Sequence, residues 1–441
     1  MEGFQTNWKK MNVNRLNKDL FLKNGIIYDP HNQKSFEGSV WVQNGRIAGV
    51  GDFETPNLED MKIIDCSNKI ITHGFCDLHA HFRSFGEDDK EDFESGARSA
   101  LSGGFTRVCV MPNTLPPIDS PEYISFVKRA GDKTPVHVHP IGAVTKNQDG
   151  KQITEMNLMY NEGAVAFSDD GLPIQNGAIM RTALEYSKFL NVPVINHAED
   201  ECLRGDGLMN EGLVSTHLGL KGNPDIAESV MVLRDLELAH YTGAILHVPH
   251  VTTKKAVEHI KRMKIHCNNI TAEVTPHHLY FNDTELIHYD TNLKVAPPIR
   301  SEEDRQALIQ GLKDGSIDCI ATDHAPHRLE EKETTFDIAS CGMIGLESCF
   351  GAVNKVLCKD NGLQVEKVIE MITVNPRKIM NFKIDLFALN TPAELTVLDT
   401  KKYWKFSRED IKSKSLNSPF IGRSLRGKIL HTISKNFLAS N

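Results

Sequence analysis

The chain has 441 residues, enough for one large domain with a smaller one beside it. Its 40% hydrophobic and 24% charged residues are ordinary for a globular protein, while the net charge of −8 argues against nucleic acid as a partner. No apolar run approaches the roughly 18 residues that span a bilayer, so no membrane partner is expected. The N-terminal residues lack the apolar core of a secretory signal, and the nine cysteines form no CxxC pair, which favours reduced thiols and a cytoplasmic location.

Short alternating or apolar runs separated by Asn-Gly and Gly signals occur near both ends of the chain. They include DLFLKNGIIYD and GSVWVQNGRIAGVG early, and PAELTVLDT and SLRGKILHTISKN late. Such runs predict β-strands joined by tight turns. Because neither group is large enough to form a stable core alone, we expect one small β-sandwich built from residues 19–72 and 385–441, preceded by a tail over residues 1–18.

Between these segments, residues 73–384 alternate short apolar strands with longer helical patterns, which is typical of βα units and a parallel sheet. The eight predicted strands are HGFCDLHAHF, TRVCVMPN, VHVHPIGAV, GAVAFSDD, VPVINHAE, AILHVPHV, ITAEVTPHHL and IDCIATDHAPH. Helices are predicted at Glu94–Ser102, Ala178–Leu190 and Glu302–Leu312. Eight such units predict an α/β fold with a closed (β/α)₈ barrel of the TIM type, and a doubly wound open sheet is the alternative.

Buried parallel strands are normally apolar throughout, yet several of these end in histidine or aspartate. The residues in question are Asp77, His79, His81, Asp169, Asp170, His197, His250 and Asp323. His79 and His81 are two positions apart in a strand, so both side chains face the same way and can bind one metal. Since ligands on a barrel converge at its C-terminal rim, the pattern predicts a metal site. Zinc suits these ligands, with nickel, cobalt and manganese as alternatives.

The segment GFCDLHAHFR, followed by KEDFESGARSALSGGFTRVCVMPNTLPPID, resembles the dihydroorotases of the amidohydrolase superfamily. AFSDDG, NHAEDE, EVTPHHL, EDRQALIQGLKDGSIDCIATDHAPH and TVNPRKIM extend the resemblance, which covers the chain from about Asp19 to Lys435. It implies a zinc-dependent cyclic amidohydrolase. The implied reaction is the reversible cyclisation of N-carbamoyl-L-aspartate to L-dihydroorotate in de novo pyrimidine (UMP) biosynthesis.

The resemblance also implies a set of metal ligands for one or two zinc ions per subunit. They are His79, His81, Asp170, His197, His250 and Asp323. The first two histidines would share one zinc with Asp323, and the later two would bind the second position. Many relatives bridge the metals with a carboxylated lysine on the fourth strand, but GAVAFSDDG has no lysine. The chain therefore resembles the subgroup with a bridging aspartate, here Asp170 with Asp169 as the fallback. The missing lysine speaks against hydantoinases, dihydropyrimidinases and allantoinases.

On the substrate side, dihydroorotate and carbamoyl-aspartate both carry a carboxylate, and a planar guanidinium can hold a carboxylate with two parallel hydrogen bonds. In the resembling family, the positions of Arg83 and Asn113 hold it, and His327 is expected to assist. Asp323 is predicted to be the catalytic residue, a metal ligand that also carries the proton between water and the ring nitrogen. His247, His277 and His278 are given no role.

The chain departs from the family pattern at three places, and two of them, Phe85 and Ala296, support an alternative, a zinc cyclic amidase for another acidic cyclic amide or ureide. Arg83 is followed by Ser84, Phe85 and Gly86 where the family has a Pro-Gly turn, Ala296 replaces a polar residue in VAPPIR, and SCGMIGLES differs from the usual loop. A second alternative is a non-catalytic scaffold for aspartate transcarbamoylase, but such chains commonly lack the metal ligands kept here. A homo-oligomer is expected, and association with aspartate transcarbamoylase is compatible with catalysis.

Overall fold

The computed structural model describes residues 12–54 and 56–441 of the chain. Of the predicted tail 1–18, residues 1–11 lie outside the described residues, whereas Asn12–Arg15 form a β-strand. Within the described ranges, no helix combines the length and the apolar character that crossing a membrane requires.

The N-terminal segment forms strands at the positions where the alternating runs predict them. They are β1 (Asn12–Arg15), β2 (Leu20–Asp29), β3 (Lys34–Gln43), β4 (Arg46–Gly51), β5 (Lys62–Asp65) and β6 (Ile70–His73). Asn44 and Gly45 connect β3 to β4, and both have positive φ values, 51° and 74°. Two-residue hairpin turns of this kind favour Asn-Gly because asparagine and glycine tolerate the left-handed region.

Residues 75–320 supply the barrel strands and two short additional ones. The strands are β7 (Phe75–Ala80), β8 (Phe105–Val110), β9 (His137–Pro140), β10 (Phe167–Ser168), β11 (Val194–Ile195), β12 (Met209–Asn210), β13 (Gly222–Asn223), β14 (Leu246–Val248), β15 (Ile270–Val274) and β16 (Cys319–Ile320). Parallel pairing runs β7-β8-β9 and β10-β11-β14-β15-β16. Parallel bridges Gly142–Phe167 and Ala80–His324 join the two groups at both edges. The ring is closed, so the predicted (β/α)₈ barrel is confirmed and the open sheet is excluded.

Helices lie between the strands along the chain, and the three predicted ones are present within two residues of their predicted ends. The helices are α1 (Phe93–Ser102), α2 (Pro121–Asp132), α3 (Met156–Glu162), α4 (Gly177–Leu190), α5 (Glu201–Arg204), α6 (Leu213–Leu218), α7 (Asp225–Thr242), α8 (Lys254–Lys264), α9 (Pro276–Tyr280), α10 (Glu302–Asp314), α11 (Leu329–Lys332), α12 (Cys349–Val353), α13 (Val365–Ile372) and α14 (Val374–Ile379). Asp92 begins α1 with a capping box that includes Ser95. Ser301 caps α10 through the backbone N–H of Asp304.

The C-terminal strands return to the sheet of the N-terminal segment. They are β17 (Leu395–Lys405), β18 (Ser424–Ser434) and β19 (Phe437–Ser440). The order in this sheet is β1-β19-β18-β17-β6-β2-β3-β4, with β5 paired to β2. The antiparallel pair β6–β17 joins the two ends of the chain, and Leu20 packs with Leu395 and Ile433 in one buried apolar cluster. The small β-sandwich domain built from both ends is thus confirmed, while the boundaries at 72 and 384 stay predictions.

One long connection of this domain reaches the barrel. Residues 406–423, between β17 and β18, leave the sheet and pack on the barrel around α9. Phe420 contacts Phe281 with ring centroids 5.0 Å apart and Tyr280 with centroids 5.2 Å apart. Phe406 and Phe420 are both only 1% exposed. The connection is therefore an ordered part of the barrel surface.

Candidate metal centre

The two histidines of β7 begin the site, because His79 and His81 project from the same side of that strand. Asp170 follows β10, and Asp323 follows β16. The His79 Nε2 atom lies 3.4 Å from Asp170 Oδ1 and 3.6 Å from Asp323 Oδ1. The His81 Nε2 atom lies 3.1 Å from Asp323 Oδ1 and 3.6 Å from Asp170 Oδ2. Two imidazoles and two carboxylates thus converge at the C-terminal ends of three barrel strands.

A second group shares one of these carboxylates. His197 follows β11, His250 follows β14, and His197 Nδ1 lies 2.9 Å from His250 Nε2. Asp170 Oδ1 is 3.7 Å from His250 Nε2 and 3.9 Å from His197 Nδ1. His79, His81 and Asp170 form one set whose donor atoms could hold an ion, and Asp170, His197 and His250 form another. Asp170 belongs to both sets, so its carboxylate lies within reach of both possible ion positions.

The unpaired atoms of this cluster fit a divalent cation. His79 Nε2 and Asp170 Oδ1 are both buried and have no hydrogen-bond partner among the described residues. A buried polar atom without a partner is costly, and a cation between imidazole and carboxylate ligands would satisfy both atoms. The cluster is largely buried, since none of the six predicted ligands is more than 8% exposed.

The neighbouring Asp169 faces a different direction. Its carboxylate accepts hydrogen bonds from Val144 N at 2.8 Å and Thr145 N at 3.1 Å, and from the Thr145 hydroxyl. Burial raises the pKa of Asp169 to about 6 in spite of these bonds. Asp169 therefore stabilises the loop after β9 through these hydrogen bonds. Asp170 is the member of the pair that lies in the cluster.

Burial and opposite charge compete across the cluster. Burial lowers the pKa of His79, but Asp170 and Asp323 outweigh it, so the pKa ends well above its usual value. Burial raises the pKa of both carboxyls, yet the nearby imidazoles, His79 first, hold each pKa well below its usual range. Both aspartates are consequently ionised, as metal ligands must be.

Two of the three predicted substrate residues lie next to this cluster. Arg83, 8% exposed, donates from Nε to the Pro326 carbonyl at 3.2 Å and places Nη2 3.4 Å from His327 Nε2. Burial and the adjacent Arg83 lower the pKa of His327 to about 3, so its imidazole is neutral. Among the described residues, no carboxylate lies within salt-bridge distance of Arg83.

The third predicted substrate residue contacts the metal ligands directly. The Asn113 side-chain oxygen is hydrogen-bonded to His81 Nδ1 at 2.8 Å, and its Nδ2 donates to Asp170 Oδ2 at 3.4 Å. An acceptor on Nδ1 directs the Nε2 lone pair of His81 toward the cluster. Asn113 thus orients two of the predicted ligands in this structure.

Sequence reasoning missed a carboxylate behind the first ligand. Glu273, 1% exposed in β15, lies 2.9 Å from His79 Nδ1 through Oε1 and 3.0 Å from His247 Nε2 through Oε2. His247 in turn lies 2.8 Å from the Thr271 hydroxyl through Nδ1. Hydrogen bonds to both imidazoles overcome the effect of burial and lower the pKa of Glu273 to about 2. The available signal was an acidic residue inside the buried strand ITAEV.

A second missed carboxylate lies beside His197. Glu199 Oε2 is 3.6 Å from His197 Nε2, and Glu199 Oε1 accepts a hydrogen bond from Asn223 at 2.7 Å. Contact with His197 lowers the pKa of Glu199 to about 2 although burial opposes the change. The acidic run NHAEDE contained this residue, but its spacing alone does not tell which carboxylate turns inward.

Three of the predicted site residues have positive φ values although none is glycine. These values are 56° for Arg83, 30° for His250 and 46° for Asp323. Such conformations cost of order 1–3 kcal/mol each and persist where the surrounding structure holds them. The backbone is therefore strained at three predicted site residues on this end of the barrel.

Comparisons with known proteins point to one family. A family model described as Dihydro-orotase-like matches residues 68–256. A dihydroorotase of Caldicellulosiruptor saccharolyticus is 42% identical over 92% of this chain and 95% of that protein. A dihydroorotase of Endomicrobium trichonymphae is 43% identical over 94% of this chain and 97% of that protein.

The chain belongs to the dihydroorotase family. It is accordingly a cyclic amidohydrolase, and the resemblance seen in the sequence is confirmed. Solved structures show the same fold at lower identity. An L-hydantoinase (dihydropyrimidinase) of Arthrobacter aurescens has a TM-score of 0.83 at 23% identity, over 95% of both chains. A dihydropyrimidinase of Brevibacillus agri has a TM-score of 0.81 at 18% identity. At such identities the likeness concerns the fold alone.

Proposed function

We propose that this member of the family interconverts N-carbamoyl-L-aspartate and L-dihydroorotate. The observation that carries the proposal is Arg83, a buried guanidinium beside the His/Asp cluster with no carboxylate partner among the described residues. A buried cation needs a counter-charge, and both reactants carry a carboxylate that two parallel hydrogen bonds from Arg83 can hold. A neutral ring such as dihydrouracil would leave this guanidinium unpaired.

We infer zinc as the metal, in one or two ions. The residues that would hold it are His79, His81, Asp170, His197, His250 and Asp323. When bound, it would supply Lewis-acid chemistry, lowering the pKa of a water molecule and polarising the amide carbonyl. Asn113 and Glu273 would keep His81 and His79 in the tautomer that presents Nε2 to the metal.

Asp323 is the proposed proton carrier. In the hydrolytic direction, water adds its oxygen to the ring carbonyl carbon, the C–N bond breaks, and the ring nitrogen gains a proton. The ionised carboxylate of Asp323 can accept the proton of the attacking water and deliver it to the leaving nitrogen. In the cyclisation direction the same carboxyl group performs these transfers in reverse.

The test compares three rings on the same zinc-loaded protein: dihydroorotate, hydantoin and dihydrouracil. We expect dihydroorotate to have the highest kcat/KM. Arg83→Lys keeps the charge but loses the planar fork, so KM for dihydroorotate should rise by about tenfold or more. Asp323→Asn should abolish turnover and leave the fold intact. Preference for a neutral ring would contradict the proposal and favour the alternative amidase.

Three finer expectations from the sequence stay predictions: a cytoplasmic location, a homo-oligomer and association with aspartate transcarbamoylase. The scaffold alternative gains no support from the site. The chain keeps all six predicted ligands, and the cluster they form has the donor types of a catalytic metal site.

A further inference from the structure

The connection 406–423 of the β-sandwich places one asparagine against the rim of the barrel. Asn417 is 4% exposed, and its side chain is surrounded by the backbone of two barrel loops. Its Nδ2 donates to the Ala325 carbonyl at 3.0 Å and to the Gly342 carbonyl at 3.2 Å. Its Oδ1 accepts from the backbone N–H of His327 at 3.2 Å. All the hydrogen-bonding groups of this side chain are used between these two loops.

The two loops joined by Asn417 carry the residues around Arg83. The Arg83 guanidinium donates to the Pro326 carbonyl, between the two residues that Asn417 holds. The His327 imidazole is hydrogen-bonded through Nε2 to the Cys341 carbonyl at 2.8 Å, in the second loop. The two segments also pair directly, since the backbone N–H of Ala325 donates to the Met343 carbonyl at 2.9 Å. Asn417 adds a side-chain link between them on both sides of Pro326, next to His327 and Arg83.

The second loop has little freedom to compensate. Gly342 has a φ of 134°, and a Cβ added there would lie 2.9 Å from His327 Nε2 and 2.8 Å from the Ala325 Cβ atom. Lys332 Nζ donates to the Gly342 carbonyl at 3.0 Å and to the Ser340 carbonyl at 2.7 Å. The backbone N–H of Ile344 donates to the Asn417 carbonyl at 3.0 Å. The loop is thus held in contact with His327 from one side by Lys332 and from the other by Asn417.

We propose that Asn417, contributed by the β-sandwich connection, is a positioning residue for the carboxylate subsite of Arg83 and His327. The inference rests on the proposed function, which assigns that subsite to the substrate carboxylate. Asn417 does not contact the metal cluster, so its loss should weaken substrate binding without removing metal. Its effect should be confined to ligands that carry the carboxylate.

The experiment uses the zinc-loaded full chain and two variants. Asn417→Ala removes the side chain, and Asn417→Leu keeps its approximate shape but none of its hydrogen bonds. Ser418→Ala is the matched control, since Ser418 is adjacent and only 3% exposed, and its hydroxyl accepts a hydrogen bond from Phe420 N at 3.4 Å within the same connection. The measurements are KM and kcat for dihydroorotate, zinc content, thermal unfolding, and the Kd of orotate, a planar ring with the same carboxylate, by calorimetry.

We expect KM for dihydroorotate and Kd for orotate to rise by about tenfold or more in both Asn417 variants, with kcat within about threefold of wild type. Zinc content should be unchanged, and Ser418→Ala should behave as wild type. Unchanged KM and Kd would overturn the inference, as would a loss of zinc or an equal effect of Ser418→Ala. A wild-type chain without activity on dihydroorotate would instead overturn the proposed function. An Asn417→Ala protein that does not fold leaves the decision to Asn417→Leu.

Discussion

Glu273 offers the sharpest test of how the first metal ligand is held. Replacing it with alanine leaves His79 Nδ1 and His247 Nε2 buried without the partners they have at 2.9 and 3.0 Å. Each unsatisfied group costs about 1–3 kcal/mol, and the lost carboxylate leaves a cavity as well. We therefore expect Glu273→Ala to lower the free energy of unfolding of the metal-free protein by about 3–5 kcal/mol.

The same change should weaken metal binding. Without an acceptor on Nδ1, His79 can place its proton on Nε2, the atom that faces Asp170 and Asp323. Loss of such a partner typically costs 10- to 100-fold in metal affinity, or about 1.4–2.8 kcal/mol. Glu273→Gln is the matched variant. Its amide oxygen can still accept from His79, and its amide group can donate to His247 if that imidazole moves its proton to the nitrogen facing Thr271.

The assay removes metal with a chelator and then titrates zinc into each protein against a chromophoric competitor. Unfolding of the metal-free proteins in urea gives the stability difference separately. We expect zinc affinity and the free energy of unfolding both to decrease from wild type to Glu273→Gln to Glu273→Ala. A Glu273→Ala protein whose zinc affinity lies within about threefold of wild type would refute the orienting role. Unfolding within about 1 kcal/mol of wild type would refute the packing argument.

Two further predictions concern the neighbouring aspartates and the pH dependence of stability. Asp170→Ala should lose at least one zinc per subunit and reduce kcat by about a hundredfold or more. Asp169→Ala should keep its zinc, but its free energy of unfolding should fall by about 1–3 kcal/mol because two backbone N–H groups lose their acceptor. Metal analysis and urea unfolding measure both effects, and the reverse result would exchange the roles of the two aspartates. His73 is fully buried, and neither ring nitrogen has a hydrogen-bond partner within residues 12–54 and 56–441, although Nε2 lies 3.6 Å from Asp29 Oδ1. Burial lowers the pKa of His73 well below the usual 6.5. Below about pH 6.5 the unfolded chain therefore binds a proton that the folded chain does not, and stability falls by about 1.4 kcal/mol per pH unit until the folded pKa is reached. His73→Leu should reduce this slope by one proton, as measured by urea unfolding at pH 7.5 and 5.0, and equal slopes for both proteins would contradict it.

The sequence was most informative where a short-range rule acts on buried positions. His79 and His81 share a face because side chains alternate along a strand, and this holds in the structure. Asp170, His197, His250 and Asp323 are far apart in the chain. They could be expected at one rim only because parallel strands all end on the same side of a barrel.

Other features depend on geometry that no short-range rule supplies. Strand alternation says that Asp169 and Asp170 point apart, but not which of them faces the cluster. Strand alternation also cannot relate the directions of His247 and His250, because β14 ends at Val248 and His250 has a φ of 30°. The contact of Asn113 with His81 joins two strand ends and could not be inferred from either segment. The position of Asn417 against the barrel loops could not be predicted either, because it depends on contacts between segments far apart in the chain.

The pairing of β6 with β17 has a consequence for synthesis on the ribosome. Strands β2 to β6 emerge before every strand of the barrel, and β17 emerges after all of them. During translation, the edge of β6 stays unpaired and the apolar face around Leu20 stays exposed until the whole barrel has been synthesised. Exposed strand edges of this kind invite pairing with other nascent chains. Chaperone demand during production should therefore depend on how quickly the ribosome reaches the C-terminal strands.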